Sequence, residues 1–334
     1  MKTRTSLILT LGLSLAGGCN KDKQDTATPE PVATTPTEPA PQPPAAKPIP
    51  EGYFTLTPML RVKGVDAAVD FYTKAFGATK TFSMANAEGK TAHAEIKIGD
   101  SIIMIEEVDP KEGTKSALEL GGTPATLMIY VSDADQVFAA ATGAGARAEM
   151  PVDEQFWGDR YGQVIDPFGH RWAVATHVED LTPEQMAERS KLAMTPPPPE
   201  KTGKKKKPAK KKDKAAAPPP PAWKAVVGKP ASTPTPPQYH TVTVAYTVDD
   251  AAKAIEFYKA AFGATENDRM ADPAGKIMHC ELAIGNSVLM LSDEYPEMGA
   301  KSATTIGGTP VSLMMYTEDV DAAFAKATAA GAQT

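Results

Sequence analysis

The sequence predicts an α+β fold built twice over, and three observations carry that reading. Short segments of alternating apolar and polar residues, the mark of half-buried strands, are interleaved with stretches of helical periodicity. The same order of segments returns 186 residues later. Proline is gathered into two stretches outside these patterns, with nine of its 31 residues between 20 and 50 and thirteen between 196 and 237. Two cysteines and a net charge of −6 exclude a disulfide scaffold or cysteine-rich zinc module and argue against nucleic-acid binding.

The elements of the first copy follow in order. Thr55 to Val62 alternates as a strand. Val65 to Phe76 places Ala68, Val69, Phe71, Tyr72, Ala75 and Phe76 on one helical stripe, closed by Gly77. Strands are predicted at 79–85, 91–98 and 101–106, with turns at Glu88-Gly89 and Gly99-Asp100. The order then restarts. A strand at 125–131 leads to a helix at 134–144 capped by Asp133, and strands follow near 146–150, 162–165 and 171–177. Thr182-Pro183-Glu184-Gln185 opens a final helix with a capping box and proline at its first position. Each copy therefore reads βαβββ followed by βαβββ.

The repeat is a tandem duplication. Phe71-Tyr72-Thr73-Lys74-Ala75-Phe76-Gly77-Ala78 returns as Phe257-Tyr258-Lys259-Ala260-Ala261-Phe262-Gly263-Ala264, and Gly121-Gly122-Thr123-Pro124 as Gly307-Gly308-Thr309-Pro310. From Thr57 onward, 41 of 92 aligned positions are identical without a gap. The second copy reaches the equivalent of Ala148, so the chain is expected to be a fragment that lacks the matches to 149–177.

At the amino terminus, Lys2 and Arg4 precede the short apolar run Leu7–Leu13, which reads as a secretory signal too short to span a bilayer. Ala16-Gly17-Gly18 before Cys19 resembles a bacterial lipobox. The expectation is a lipid anchor on Cys19 and a place in the cell envelope, at the outer membrane and facing the periplasm, since no Asp follows the cysteine. The expected domains are a signal at 1–19, a disordered Pro-rich tether at 20–52 and a first domain with its C-terminal helix at 53–195. A disordered Pro/Lys-rich linker at 196–237 and an incomplete second domain at 238–334 complete the list. Nine lysines between Lys201 and Lys214 suit either a charge-extended spacer or attraction to a polyanionic surface.

Together the motifs FYxxAFGA, GKxxHxEIxIGxS, GGTPxxLxxYxxDxD, FWGDRYG and DPFGHRW resemble the vicinal oxygen chelate superfamily of glyoxalase, bleomycin resistance and dioxygenase proteins, and its PhnB-like branch most of all. The resemblance implies tandem domains of paired βαβββ modules whose sheets curve into a cup. It also implies a divalent ion held by four strand positions, which fall on Thr57, Glu95, Thr126 and Ala173, and on Thr243, Glu281 and Ser312 in the second copy. Glu95 alone among the first four is a strong ligand. The expectation is therefore a small-molecule binding cup with no cofactor, against the alternatives of a divalent-metal glyoxalase-type lyase or isomerase and of a scaffold working through domain pairing within the chain or as a homodimer.

Strand alternation puts His93 and Glu95 on the cup face, with Ala94, Ile96 and Ile98 behind, and makes His93–Glu95 and His279–Glu281 the candidate acid–base pairs. His177, four residues past Ala173 on the same face, is the candidate to complete a displaced site. Thr57, Met59 and Arg61 share one face, as do Thr126, Met128 and Tyr130, and these six with Trp157 and Tyr161 are the expected pocket. Arg61 suits an anionic ligand. The Trp157–Tyr161 loop either closes over ligand or is fixed by Asp159 and Arg160. Cys280, on the opposite face, reads as a small core residue.

Overall fold

The structure, a computed structural model, describes residues 47–195 and 220–333. The expected signal, Cys19, most of the first tether and the lysine run lie outside the described residues. No helix among the described residues is long and apolar enough to cross a membrane.

The first copy begins with β1 (Leu56–Val62), α1 (Val65–Phe76), β2 (Thr79–Ala85), β3 (Thr91–Ile98) and β4 (Ser101–Glu107). It continues through the short α2 (Ala117–Leu120) to β5 (Ala125–Tyr130), α3 (Ala134–Gly143), β6 (Arg147–Glu154), β7 (Asp159–Ile165) and β8 (Arg171–His177). Then come β9 (Glu179–Asp180), α4 (Pro183–Met194) and β10 (Lys229–Pro230). The second copy gives β11 (Val242–Val248), α5 (Ala251–Phe262), β12 (Thr265–Ala271), β13 (Ile277–Ile284), β14 (Ser287–Asp293), α6 (Ala303–Ile306), β15 (Val311–Met315) and α7 (Val320–Ala329). The local signals act as anticipated. Gly77 closes α1 in the left-handed conformation at φ 66, and Thr182 with Gln185 forms the capping box of α4.

Modules pair in two ways. Strands join modules of different copies. One sheet runs β15-β1-β4-β3-β2 and the other β12-β13-β14-β11-β5-β8-β7-β6. At the junctions β1 meets β15 and β11 meets β5, both antiparallel and in the same register: Thr57 faces Met314, and Thr243 faces Met128. Helices join modules of one copy, with α1 packed on α3 and α5 on α7. In the first copy Tyr72 and Phe76 of α1 pack on Trp172 of β8, with ring centroids 5.1 and 4.6 Å apart. Beneath them the buried Asp166 accepts hydrogen bonds from the Tyr72 hydroxyl (2.7 Å), the Trp172 indole (2.9 Å) and the Phe168 and His170 amides. Four donors satisfy a carboxylate that would otherwise be costly to bury. The repeat pattern alone does not show this exchange, because β1 and β11 present β5 with the same pattern of alternation.

The linker expected at 196–237 is shorter than that. Residues 221–237 are built into the fold. The Arg189 guanidinium, 2 % exposed, donates to the Val226 carbonyl at 2.6 Å and to Glu179, and lies 5.4 Å from the centre of the Trp223 ring. β9 pairs with β10, and the amides of Ala231 and His177 donate to Val178 and Pro234. A single buried arginine with an aromatic lid orders a stretch whose composition reads as flexible.

Candidate functional site

The eight-stranded sheet has one face covered by helices and one free of them. Leu127, Ile129, Trp172, Val174, Val242, Val244, Cys280 and Leu282 point to the helices. The alternate residues Met128, Tyr130, Ala173, Ala175 and Met290 form a second apolar cluster, joined by Tyr161, Tyr239, Ala245 and Val288. This second face is the cup. Its walls come from both copies, since β11 to β14 supply one half and β5 to β8 the other.

Two carboxylates stand in it, each held by a tyrosine. Tyr239 donates its hydroxyl to Glu281, whose carboxylate also lies 3.3 Å from His279 Nε2. Burial pushes the Glu281 carboxyl up, but the hydrogen bonds from His279 and Tyr239 outweigh it and hold the group below its ordinary value. Tyr130 donates to Asp159 at 3.1 Å, as does the Trp157 indole, and His177 Nδ1 lies 2.8 Å from the other Asp159 oxygen. His177 Nε2 faces Asp180 at 2.9 Å, so both ring nitrogens meet carboxylates, which raises the affinity of His177 for its proton. The Tyr130 and Tyr239 rings stack at 5.4 Å and 15°, joining the two clusters. Burial pushes both hydroxyls well above the ordinary tyrosine range, and the Tyr161 hydroxyl, which accepts from Gln163, up to about 12.

The five-stranded sheet carries the equivalent constellation. Tyr53 donates to Glu95 at 2.5 Å and its ring lies 5.3 Å from that of Tyr316, the equivalents of Tyr239, Glu281 and Tyr130. His93 lies 3.7 Å from both Glu95 and Glu106. Arg61 pairs with Glu106 at 2.8 Å, so its charge is already matched by a carboxylate. Phe82 and Met84, cross-strand neighbours of Glu95 and His93, are 49 % and 55 % exposed.

The expected residues thus fall into two sets. Thr57, Met59, Arg61, His93 and Glu95 belong to one sheet. Thr126, Met128, Tyr130, Tyr161, His177, His279 and Glu281 belong to the other, with Trp157 in the turn between its β6 and β7. His177 sits with Asp159 and Asp180 and is in the cup of His279, not that of His93. The 157–161 loop is fixed: Arg160 makes a bidentate pair with Asp135 while Asp159 holds Tyr130, Trp157 and His177. Cys280 is a buried core residue, its thiol pushed up to about 11 by burial. A cavity of about 410 Å³ lies on the helix-bearing face, lined among others by Tyr258, Phe262, Val311 and Leu313, and is separate from both cups.

The profile of the Glyoxalase/Bleomycin resistance protein/Dioxygenase superfamily matches residues 55–174 and 240–334. The chain belongs to this superfamily. An uncharacterized Mycobacterium bovis protein is 38% identical over 134 residues, 39% of this chain and 88% of that protein. TioX from Micromonospora sp. ML1 is similar at 30% identity over 36% of this chain and 95% of its own, with a TM-score of 0.30. Glyoxalase I from Zea mays aligns over 82% of this chain and 78% of its own at 15% identity, with a TM-score of 0.48.

The metal centre implied by the glyoxalase resemblance does not fit the residues present. The sheet that carries Glu281 brings the implied ligand position Thr243 of its own copy together with Thr126 and Ala173 of the other, so the positions that accompany Glu281 carry two hydroxyls and a methyl. Glu281 is itself engaged by Tyr239 and His279. Hard divalent ions take several oxygen ligands, and zinc takes three or four nitrogen, sulfur or carboxylate ligands. Among the described residues no group of three or more His, Cys, Asp or Glu side chains is placed to hold an ion.

Sequence reasoning missed Tyr53 and Tyr239, which stand before the first strand of each copy. A signal was there: Pro50 and Tyr53 recur as Pro236 and Tyr239, and both tyrosine amides donate to those proline carbonyls. It also passed over Asp180 and weighed Asp159 only as a fastener of a loop that could otherwise close over ligand, although Asp159 is the acceptor on which three side chains of the cup converge.

Proposed function

We infer that the protein is a lipid-anchored envelope protein of the PhnB-like type that binds a small molecule in the inter-copy cup, without the metal centre usual among its relatives. The observation that carries the reading is the cup itself. An apolar floor of Met128, Ala173, Ala175 and Met290 is set between two hydrogen-bonded carboxylates, Asp159 and Glu281, on walls from different copies. Such a floor with a few convergent polar groups is the usual make-up of a ligand site. The donor set at the ligand positions supports binding over metal-assisted chemistry.

The test is a ligand screen of the whole chain by thermal shift, followed by calorimetry on each hit. Glu281→Gln should weaken a true cup ligand by about tenfold or more, the worth of one hydrogen bond to a charged group, and Tyr130→Ala, which removes a ring of the cup, should weaken it as well. Hits indifferent to both substitutions count against the cup. Stoichiometric zinc, nickel or manganese in protein purified without chelator, lost in Glu281→Gln, would restore the lyase reading. Cys19→Ser should move the protein from the membrane to the soluble fraction, and unchanged sorting would remove the anchor.

A further inference from the structure

Tyr239 differs in origin from the other tyrosines of the cup. Tyr130 and Tyr161 project from strands that form the walls, whereas Tyr239 arrives from the segment ahead of β11. That segment turns on itself, with the Tyr239 amide donating to Pro236, and is tied to the end of β8 by the His177 amide to Pro234. From there the phenol reaches in, lies flat on Tyr130 at 15° and donates to Glu281. The five-stranded sheet repeats the arrangement with Tyr53, whose amide donates to Pro50, whose hydroxyl donates to Glu95 and whose ring meets Tyr316. In the eight-stranded sheet a phenol on a short tether thus makes the two contacts a bound molecule would make, a ring face and a carboxylate; Tyr53 makes the carboxylate contact and meets Tyr316 at a tilt of 59°.

Resting on the reading of the cup as a ligand site, the geometry points to a phenol, or another planar ring bearing one hydrogen-bond donor, as the class of molecule the cup takes, with Tyr239 as the tethered occupant that such a ligand displaces. The donor requirement follows from Glu281, an acceptor when ionised, and the planarity from the exposed face that Tyr130 would present. The tether is an intramolecular competitor, so it sets a threshold concentration below which the cup stays closed.

The probe is p-cresol, the tyrosine side chain as a free molecule, titrated calorimetrically into the whole chain. Tyr239→Gly should open one saturable site, binding p-cresol at least about tenfold more tightly than the unsubstituted protein does. Toluene, with the same shape and no donor, should bind about tenfold more weakly than p-cresol. The preference for p-cresol over toluene should vanish when Glu281→Ala is added. Tyr53→Gly with Glu95→Ala repeats the test in the more open cup and decides it if Tyr239→Gly does not fold. Equal p-cresol binding with and without the tyrosine, or a preference that survives loss of the glutamate, overturns the proposal. The glycine variants are read without any natural ligand. A failed library screen of the unsubstituted protein therefore bears on the proposed function, and a failed p-cresol titration bears on the tether alone.

Discussion

Phe54 and His240 occupy the same position in the two copies and stack on one another, with ring centroids 3.4 Å apart and planes 9° from parallel. The pseudo-two-fold axis that relates the copies passes between them. Around this axis each contact occurs twice. The Thr241 amide donates to Asp100 and the Val242 amide to Ser101; the Thr55 amide donates to Asn286 and the Leu56 amide to Ser287. Burial pushes the Asp100 carboxyl up, but the Thr241 amide and hydroxyl and Ser101 outweigh it and hold the group below its ordinary value.

Gly99 and Gly285 are the turns through which this junction closes. Both are left-handed, at φ +58 and +57, and a Cβ on either would collide with the side chain of Thr241 or Thr55. Gly99→Ala and Gly285→Ala should each cost about 2–3 kcal/mol, combining backbone strain with overpacking. Gly113→Ala is the control, since its φ of +72 carries the strain but nothing lies within 4 Å of the added atom; it should cost about 1 kcal/mol. Urea unfolding measures all three, and equal losses would refute the close approach.

Arg189 is the latch of the segment that follows the lysine run. Arg189→Ala removes the donors to Val226 and Glu179 and the cation over Trp223, and should cost about 3 kcal/mol. Limited proteolysis should then cut within 221–230 faster than in the unsubstituted protein. Arg189→Lys should recover little, because one ammonium cannot replace a planar fork.

His177 gives the cup a pH dependence. Its pKa is raised above 6.5 by the hydrogen bond to Asp159, and further by Asp180. The stabilisation is therefore present in full below 6.5 and is lost as pH rises through the raised value. Glu281 has the opposite sign: its lowered pKa stabilises above 4.5, and that share is lost as pH falls through the depressed value. Thermal melts across this range should show a decline on the alkaline side that His177→Gln abolishes. A decline unchanged in that variant would assign it to another group.

Trp172 is fully buried, and its indole donates to Asp166. Trp172→Ala should cost about 3–5 kcal/mol, and Trp172→Phe, which keeps the ring contacts to Tyr72 and Phe76, should cost less. Chemical denaturation distinguishes the two. Near-equal losses would place the main effect in the hydrogen bond and not in the packing.

Alternation and capping made the strands and helices of this fold legible, and with them the faces. His93 and Glu95 do point away from Ala94, Ile96 and Ile98, which lie in the helix-facing core. Partner choice was not legible, because the pattern of β1 is repeated in β11 and a strand edge carries no label of the copy it belongs to. The order of 221–237 was hidden by composition: eight residues of proline-poor chain around Trp223 were outweighed by their neighbours. The tyrosines of the tether were invisible to strand logic, since neither Tyr53 nor Tyr239 lies in a strand.

Because one chain supplies both partners at each junction, closing the eight-stranded sheet is a unimolecular event. The segment joining the copies fixes a local concentration that the bulk concentration does not alter. Dilution, which would dissolve a cup shared between separate molecules, leaves this one whole. Cutting the chain between Thr195 and Pro220 would convert it into an assembly whose melting temperature depends on concentration.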